Sequence, residues 1–135
     1  MAALSFTVPA VPVPMGRPRV TVRAGMPHGY VPAKTAHAAW EIRQAATAAL
    51  GNRAQFTGPV MLRVIAYVPV PKSLPKRLHG LARPVKRPDV DHFGQLAMDG
   101  CSPLWLDDSQ VVDLRVAKCY AWDRPPMWKI EVESA

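Results

Sequence analysis

Val-Met-Leu-Arg-Val-Ile-Ala-Tyr-Val, residues 60–68, is the clearest β-strand pattern in the chain. Its alternate positions are all apolar: Val60, Leu62, Val64, Ala66 and Val68. Alternate residues of a strand point to the same side of a sheet, so this pattern predicts one unbroken apolar face. We expect residues 60–68 to form the strongest strand of the chain.

Two helical segments flank this strand in the sequence. Residues 33–50 contain no Pro or Gly and are rich in Ala, and their apolar residues recur at helical spacing. This helix is expected to end near Gly51, because glycine commonly follows the last helical turn. Residues 90–99 come soon after Pro88 and also carry apolar residues along one helical face. They predict a second helix.

Further segments alternate as strands do, and prolines and glycines separate them. They are residues 4–8, 19–23, 110–118 and 127–133. Residues 25–32 form a Gly- and Pro-rich stretch, and a basic, Pro-rich loop is expected at about residues 69–88. The order of elements predicts an α+β fold in a single domain, residues 1–135, with two main helices packed on one mixed β-sheet.

Length and composition narrow the class of protein. The 135 residues suit one domain, and 49% of them are hydrophobic, which is enough for a core. No apolar run is long enough to span a membrane, and we expect no signal peptide. The two cysteines, Cys101 and Cys119, fit neither a CxxC metal motif nor a disulfide framework. We therefore expect a cytoplasmic protein with reduced thiols.

The charge is distributed unevenly along the chain. The net charge is +7, but residues 1–87 hold thirteen Lys and Arg and one acid, for a net of +12. Residues 88–135 hold four Lys and Arg and nine acids, for a net of −5. A basic surface favours a polyanionic partner, and acids concentrated within a basic protein suggest a metal site facing that partner.

Two acidic segments are candidates for this site. Asp89 and Asp91 are two residues apart at a predicted helix start, where both side chains can turn toward one point. Their mutual repulsion would be relieved by a hard divalent cation such as Mg²⁺. Asp107 and Asp108 are adjacent in extended backbone, so only one of them could join the first pair. Each segment alone is also compatible with a helix cap or a solvated acidic turn.

Taken together, these segments resemble the signature of the RusA family of Holliday-junction endonucleases. The matching runs are Pro88-Asp89-Val90-Asp91, then Asp99, then Leu106-Asp107-Asp108-Ser109-Gln110-Val111-Val112-Asp113. A softer upstream match comprises Gly16-Arg17-Pro18-Arg19 and Tyr30-Val31-Pro32-Ala33-Lys34-Thr35. The resemblance implies a homodimer that binds four-way DNA junctions. Phages and prophages often encode small resolvases of this family. Each subunit is expected to nick one strand, symmetrically, with Mg²⁺ or Mn²⁺.

The resemblance also assigns roles to residues. It implies that Asp89, Asp91 and Asp108 are the catalytic carboxylates and metal ligands, with Asp99 as a supporting acid. Asp107 and His92, which lie beside these acids in the sequence, are also expected to support the site. The expected DNA-binding residues are Arg17, Arg19, Lys34, Lys72, Lys76, Arg77, Arg83, Lys86 and Arg87. His92 is either a general base or simply an exposed helix residue.

Two positions depart from the family pattern. His92 stands where Asn or Lys usually follows the second acid, and Gln95 replaces a usual basic residue. A catalytically weak or inactive junction-binding protein is therefore an alternative. A second alternative is a basic nucleic-acid-binding module without a metal site. A third is a nuclease for flaps and other branched DNA.

Overall fold

The fold is seen in a computed structural model that describes residues 3–16, 19–30 and 32–135. Its helices and strands are β1 Ala3–Val8, β2 Arg19–Arg23, β3 Met26–Tyr30, α1 Ala33–Leu50, β4 Val60–Val68, α2 Val90–Gly100, β5 Val111–Tyr120 and β6 Met127–Ser134. Three short 3₁₀ turns occupy Lys76–Leu78, Ser102–Leu104 and Asp108–Gln110. The predicted α+β class, with two main helices and a mixed sheet, is confirmed.

The sheet has four strands in the order β1-β6-β4-β5. β4 pairs with β5 in parallel, and the antiparallel strand β6 lies between β4 and β1. The parallel pair needs a long crossover connection, and α2 lies within it. β5 therefore forms one edge of the sheet and runs back along α2.

The core lies between the helices and one face of the sheet. Leu62 and Val64 of β4 are fully buried, as the alternation of this strand predicts. The Phe93 ring of α2 meets the Trp128 ring of β6 edge to face, with centroids 5.7 Å apart. The two helices approach closely because Gly100 has no side chain; a Cβ there would come within 2.5 Å of the Ile42 Cβ.

The expectation of a single sheet was wrong at residues 19–30. The predicted strand Arg19–Arg23 exists, but among the described residues it pairs with β3 alone, as a separate two-stranded ribbon. Residues 25–32, a Gly- and Pro-rich stretch in which no strand was predicted, contain β3. Positive φ angles of 50° at Ala24 and 79° at Gly25 turn the chain back on itself, as in a type I′ hairpin. Pro27 and Gly29 break the alternation by which β3 would have been recognised.

Within the described residues, no helix combines the length and apolar character needed to cross a membrane.

Candidate metal centre and nucleic-acid interface

The first acidic pair lies at the start of α2. Asp89 is the N-cap residue, with extended backbone, and its side chain makes no capping hydrogen bond. Asp91 lies in the first helical turn, where the positive end of the helix favours a carboxylate. Asp89, Asp91 and His92 each offer a ligand atom, and all three atoms lie within 4.8 Å of one another. The structure thus brings together three of the predicted site residues.

The donors of this group fit a hard divalent cation. Both carboxylates are exposed, and carboxylate oxygens with several waters are what Mg²⁺ and Mn²⁺ prefer. His92 Nε2 lies 3.9 Å from Asp91 Oδ2, and its ring is half exposed. Arg87, Pro88, Asp89 and His92 line an open pocket, so a ligand can reach the group from solvent.

Asp108 belongs to a different part of the structure. Its Oδ1 accepts a hydrogen bond of 2.8 Å from Nε1 of Trp105, a buried residue. Burial raises the pKa of the Cys101 thiol far above its ordinary value, and the nearby negative charge of Asp108 contributes a smaller part of this rise. Cys101 is the C-cap of α2. Asp108 therefore lies near the end of α2, whereas Asp89 and Asp91 lie at its start.

The geometry of α2 and β5 gives the scale of this separation. The 11 residues of α2 span about 16 Å. Lys118 of β5 contacts the Pro88 carbonyl oxygen, which lies just before the start of α2. Val111, which follows soon after Asp108 in the sequence, lies about 23 Å from Lys118 along the same strand. Asp108 is accordingly absent from the compact group that the described residues form.

Asp107 and Gln110 stabilise the turn that carries Asp108. Asp107 Oδ1 accepts from the Ser109 backbone N–H at 2.9 Å, which, with the Ser109 hydroxyl, holds the pKa of Asp107 below its ordinary value. Gln110 Oε1 accepts from the Asp107 backbone N–H at 3.0 Å, completing a capping box. Gln110 Nε2 donates to the Phe56 carbonyl oxygen at 2.8 Å. The second acidic segment thus attaches its own turn to the segment just before β4.

Asp99, the other supporting acid, joins the two helices. Its Oδ2 lies 4.0 Å from Nη2 of Arg43 in α1, and the same nitrogen donates to the Asp99 carbonyl oxygen at 3.4 Å. In this structure Asp99 holds α2 to α1 and is not part of the compact group.

The predicted DNA-binding residues lie mainly on one loop. Six cations between β4 and α2 are exposed, and none of them has a carboxylate within 4.0 Å in the part of the chain that is described. They are Lys72, Lys76, Arg77, Arg83, Lys86 and Arg87. Lys34 is exposed at the start of α1. Arg17 lies outside the described residues, and of Arg19 only the backbone is described.

Lys118 is a residue at this site that the sequence does not point to. Its Nζ donates to the carbonyl oxygens of Lys86 and Pro88, at 2.9 Å each, just before Asp89. No local motif marks it, because the contact joins residues about thirty positions apart in the chain.

Comparison with known proteins adds two findings. The family model described as "Endodeoxyribonuclease RusA" matches residues 9–133. The chain is also 39% identical over 131 residues to "Uncharacterized protein YqaN" of Bacillus subtilis (strain 168), and the match covers 90% of each chain.

Proposed function

The chain belongs to the RusA endodeoxyribonuclease family, and on this premise we propose that it resolves four-way DNA junctions by metal-dependent nicking. The family resemblance expected from the sequence is thereby confirmed. The observation that carries the proposal is the Asp89, Asp91 and His92 group, which lies directly after an exposed loop that carries six Lys and Arg residues. A cation site next to a basic surface suits hydrolysis of a phosphodiester.

We propose Asp89 and Asp91 as metal ligands, with Mg²⁺ as the ion and Mn²⁺ as a substitute. A bound divalent ion would lower the pKa of a water molecule and draw charge from the phosphate. The two carboxylates would hold it at the mouth of the open pocket, and either could orient the attacking water. His92 is close enough to Asp91 to contribute a ligand atom or to accept a proton from that water.

The loop cations would hold the DNA. Each Lys or Arg that contacts a phosphate releases counterions, so affinity is expected to fall steeply with salt. Lys86 and Arg87 come immediately before the metal-binding turn and are expected to lie nearest the cleaved bond. Such contacts position DNA without reading its sequence, so the shape of the junction would determine selectivity. Because four-way junction DNA is the proposed substrate, we expect the protein to act in the cytoplasm of a bacterium or a phage-infected cell.

We further propose a homodimer in which each site is shared between subunits. One chain holds Asp108 about a helix length away from Asp89 and Asp91, so Asp108 can join such a site only from a second copy. β5 is an edge strand, and its apolar side chains Val112 and Leu114 are 63% and 42% exposed. Two-fold pairing along β5 would be antiparallel, and would bring the Asp108 end of each chain toward the Asp89 end of the other.

The test is cleavage of a labelled synthetic four-way junction, with a linear duplex beside it, in Mg²⁺, Mn²⁺ or EDTA. Asp91→Asn is the site variant. Glu131→Gln is the matched control, because Glu131 pairs with Arg63 and Lys129 on the sheet face opposite the helices. We expect paired, symmetric nicks in the junction alone, absent with EDTA and with Asp91→Asn, and retained with Glu131→Gln.

The same assay separates the alternatives. A junction that is bound but uncut in every metal would indicate a binding protein, with His92 and the exposed Gln95 as the first residues to examine. If flaps or replication forks are cut faster than four-way junctions, the protein is a more general branch nuclease. Unchanged cleavage by Asp91→Asn would exclude the proposed metal site.

A further inference from the structure

The side chain of Lys118 connects β5 to the turn before the acidic group. Lys118 lies on the helix-facing side of β5, the side on which Leu114 and Val116 come close to Gly94 of α2. Its ammonium has three N–H donors, and two of them bind the carbonyl oxygens of Lys86 and Pro88 at 2.9 Å. Hydrogen bonds from a charged donor are roughly twice as strong as neutral ones.

These two bonds hold a short segment that joins an exposed loop to a packed helix. The loop before Lys86 is largely exposed, with little side-chain burial to hold it. The helix after Asp89 is held by buried Phe93 and Leu96. Lys118 attaches the intervening backbone to the sheet, and the next residue along is the first carboxylate of the compact group. No carboxylate lies within 4.0 Å of Lys118 in the described parts of the chain.

We propose that Lys118 is a positioning residue that holds the turn at residues 86–88. It keeps the DNA-facing residues Lys86 and Arg87 in a fixed relation to the carboxylates of Asp89 and Asp91. The consequence for cleavage rests on the proposed nuclease function; the restraint of the turn does not. A displacement of about 1 Å at a reacting centre can reduce rate by roughly 100-fold, so even a small loosening would be measurable.

The restraint is tested by trypsin digestion of the whole protein without DNA or metal. The Lys86–Arg87 bond lies in the restrained turn, and the bond after Arg77 in the same loop is an internal reference. In Lys118→Met the ratio of the two cleavage rates should rise about tenfold, because proteolysis follows local opening. Lys118→Arg keeps charged donors and should restore protection. Lys129→Met, which removes a lysine from the opposite sheet face, should change nothing.

The catalytic consequence is tested by single-turnover cleavage of the junction at saturating metal. Lys118→Met should be about 10–100-fold slower, while junction affinity in EDTA changes less than about threefold. Lys118→Arg should recover most of the rate. An unchanged proteolysis ratio would overturn the proposal. The proposal would also be overturned if Lys118→Met and Lys118→Arg lost cleavage rate equally and both unfolded at a lower urea concentration, because this would indicate a general loss of stability. If the wild type cuts no branched DNA, the proposed function fails, and proteolysis alone decides the restraint.

Discussion

A mixture of two inactive variants is predicted to recover cleavage. Asp91→Asn and Asp108→Asn should each abolish nicking when assayed alone, because every site in either homodimer lacks one carboxylate. After subunit exchange, a mixed dimer contains one site with both defects and one site with none. This follows only if Asp108 acts in the site of the other subunit of the proposed homodimer, a proposal that rests on the separation of Asp108 from Asp89 by the length of α2.

The size of the recovery can be worked out. Random exchange of equal amounts makes about half of the dimers mixed, and each mixed dimer has one intact site of two. About a quarter of the wild-type number of sites is therefore restored. A mixed dimer can nick only one strand, so single nicks should accumulate where the wild type gives paired nicks. If Asp108 instead acted within its own chain, every site in a mixed dimer would carry one defect.

A junction built into a supercoiled plasmid gives the clearest readout, because single and paired nicks yield open-circular and linear products respectively. Subunit exchange is verified by native mass spectrometry with one variant carrying a tag. A mixture that is fully exchanged and still inactive would refute the shared site. Substantial activity of Asp108→Asn alone would remove Asp108 from the site altogether.

Three further predictions concern stability and reactivity. Gly100→Ala should lower the free energy of unfolding by about 1–3 kcal/mol in urea titrations, because the new Cβ meets Ile42 at 2.5 Å. The hydrogen bonds from Ser109 lower the pKa of Asp107, so the stability they supply is present above the ordinary Asp pKa and is lost as pH falls through the lowered value. The stability difference between wild type and Asp107→Asn should therefore narrow on acidification. Cys101, buried with a raised pKa, should react with a thiol reagent only after unfolding.

Matched controls make these outcomes specific. Gly58→Ala should leave stability nearly unchanged, because a Cβ there meets nothing within 4 Å. A pH-independent difference for Asp107→Asn would contradict the assigned hydrogen bonds. Cys119, the partly exposed thiol, should react in the native state and so shows that the reagent is active. Rapid native labelling of both thiols would contradict the burial of Cys101.

Local patterns in the sequence predicted most of the fold. β4 has the bounds expected from its alternation, and α1 has those expected from its Ala-rich run ending before Gly51. β3 was missed because Pro27 and Gly29 interrupt its pattern, and strand pairing rather than propensity creates it. Alternation at residues 19–23 could not show that this strand leaves the main sheet, since the choice of partner is made by the whole chain.

Of the candidate site, the part that is local in the sequence was predictable, and the part that depends on packing was not. Asp89 and Asp91 are two residues apart at the start of α2, so the extended backbone that enters the helix allowed their convergence to be predicted. The position of Asp108 depends on the direction of β5 relative to α2, which no local pattern contains. Lys118 depends on the same packing.

The pairing of β1 with β6 has a consequence for how the protein is made. β6 is the last of the six strands in the sequence, yet it pairs with both β1 and β4, and Ala3 lies opposite Glu133. β1 must therefore wait until β6 has been synthesised, several seconds later at rates of up to about 20 residues per second. Assembly of the four-stranded sheet should follow synthesis of β6 rather than accompany that of the earlier strands. The same pairing places the start of β1 beside the end of β6, so a circular permutation that joins these two strands by a short linker should be tolerated.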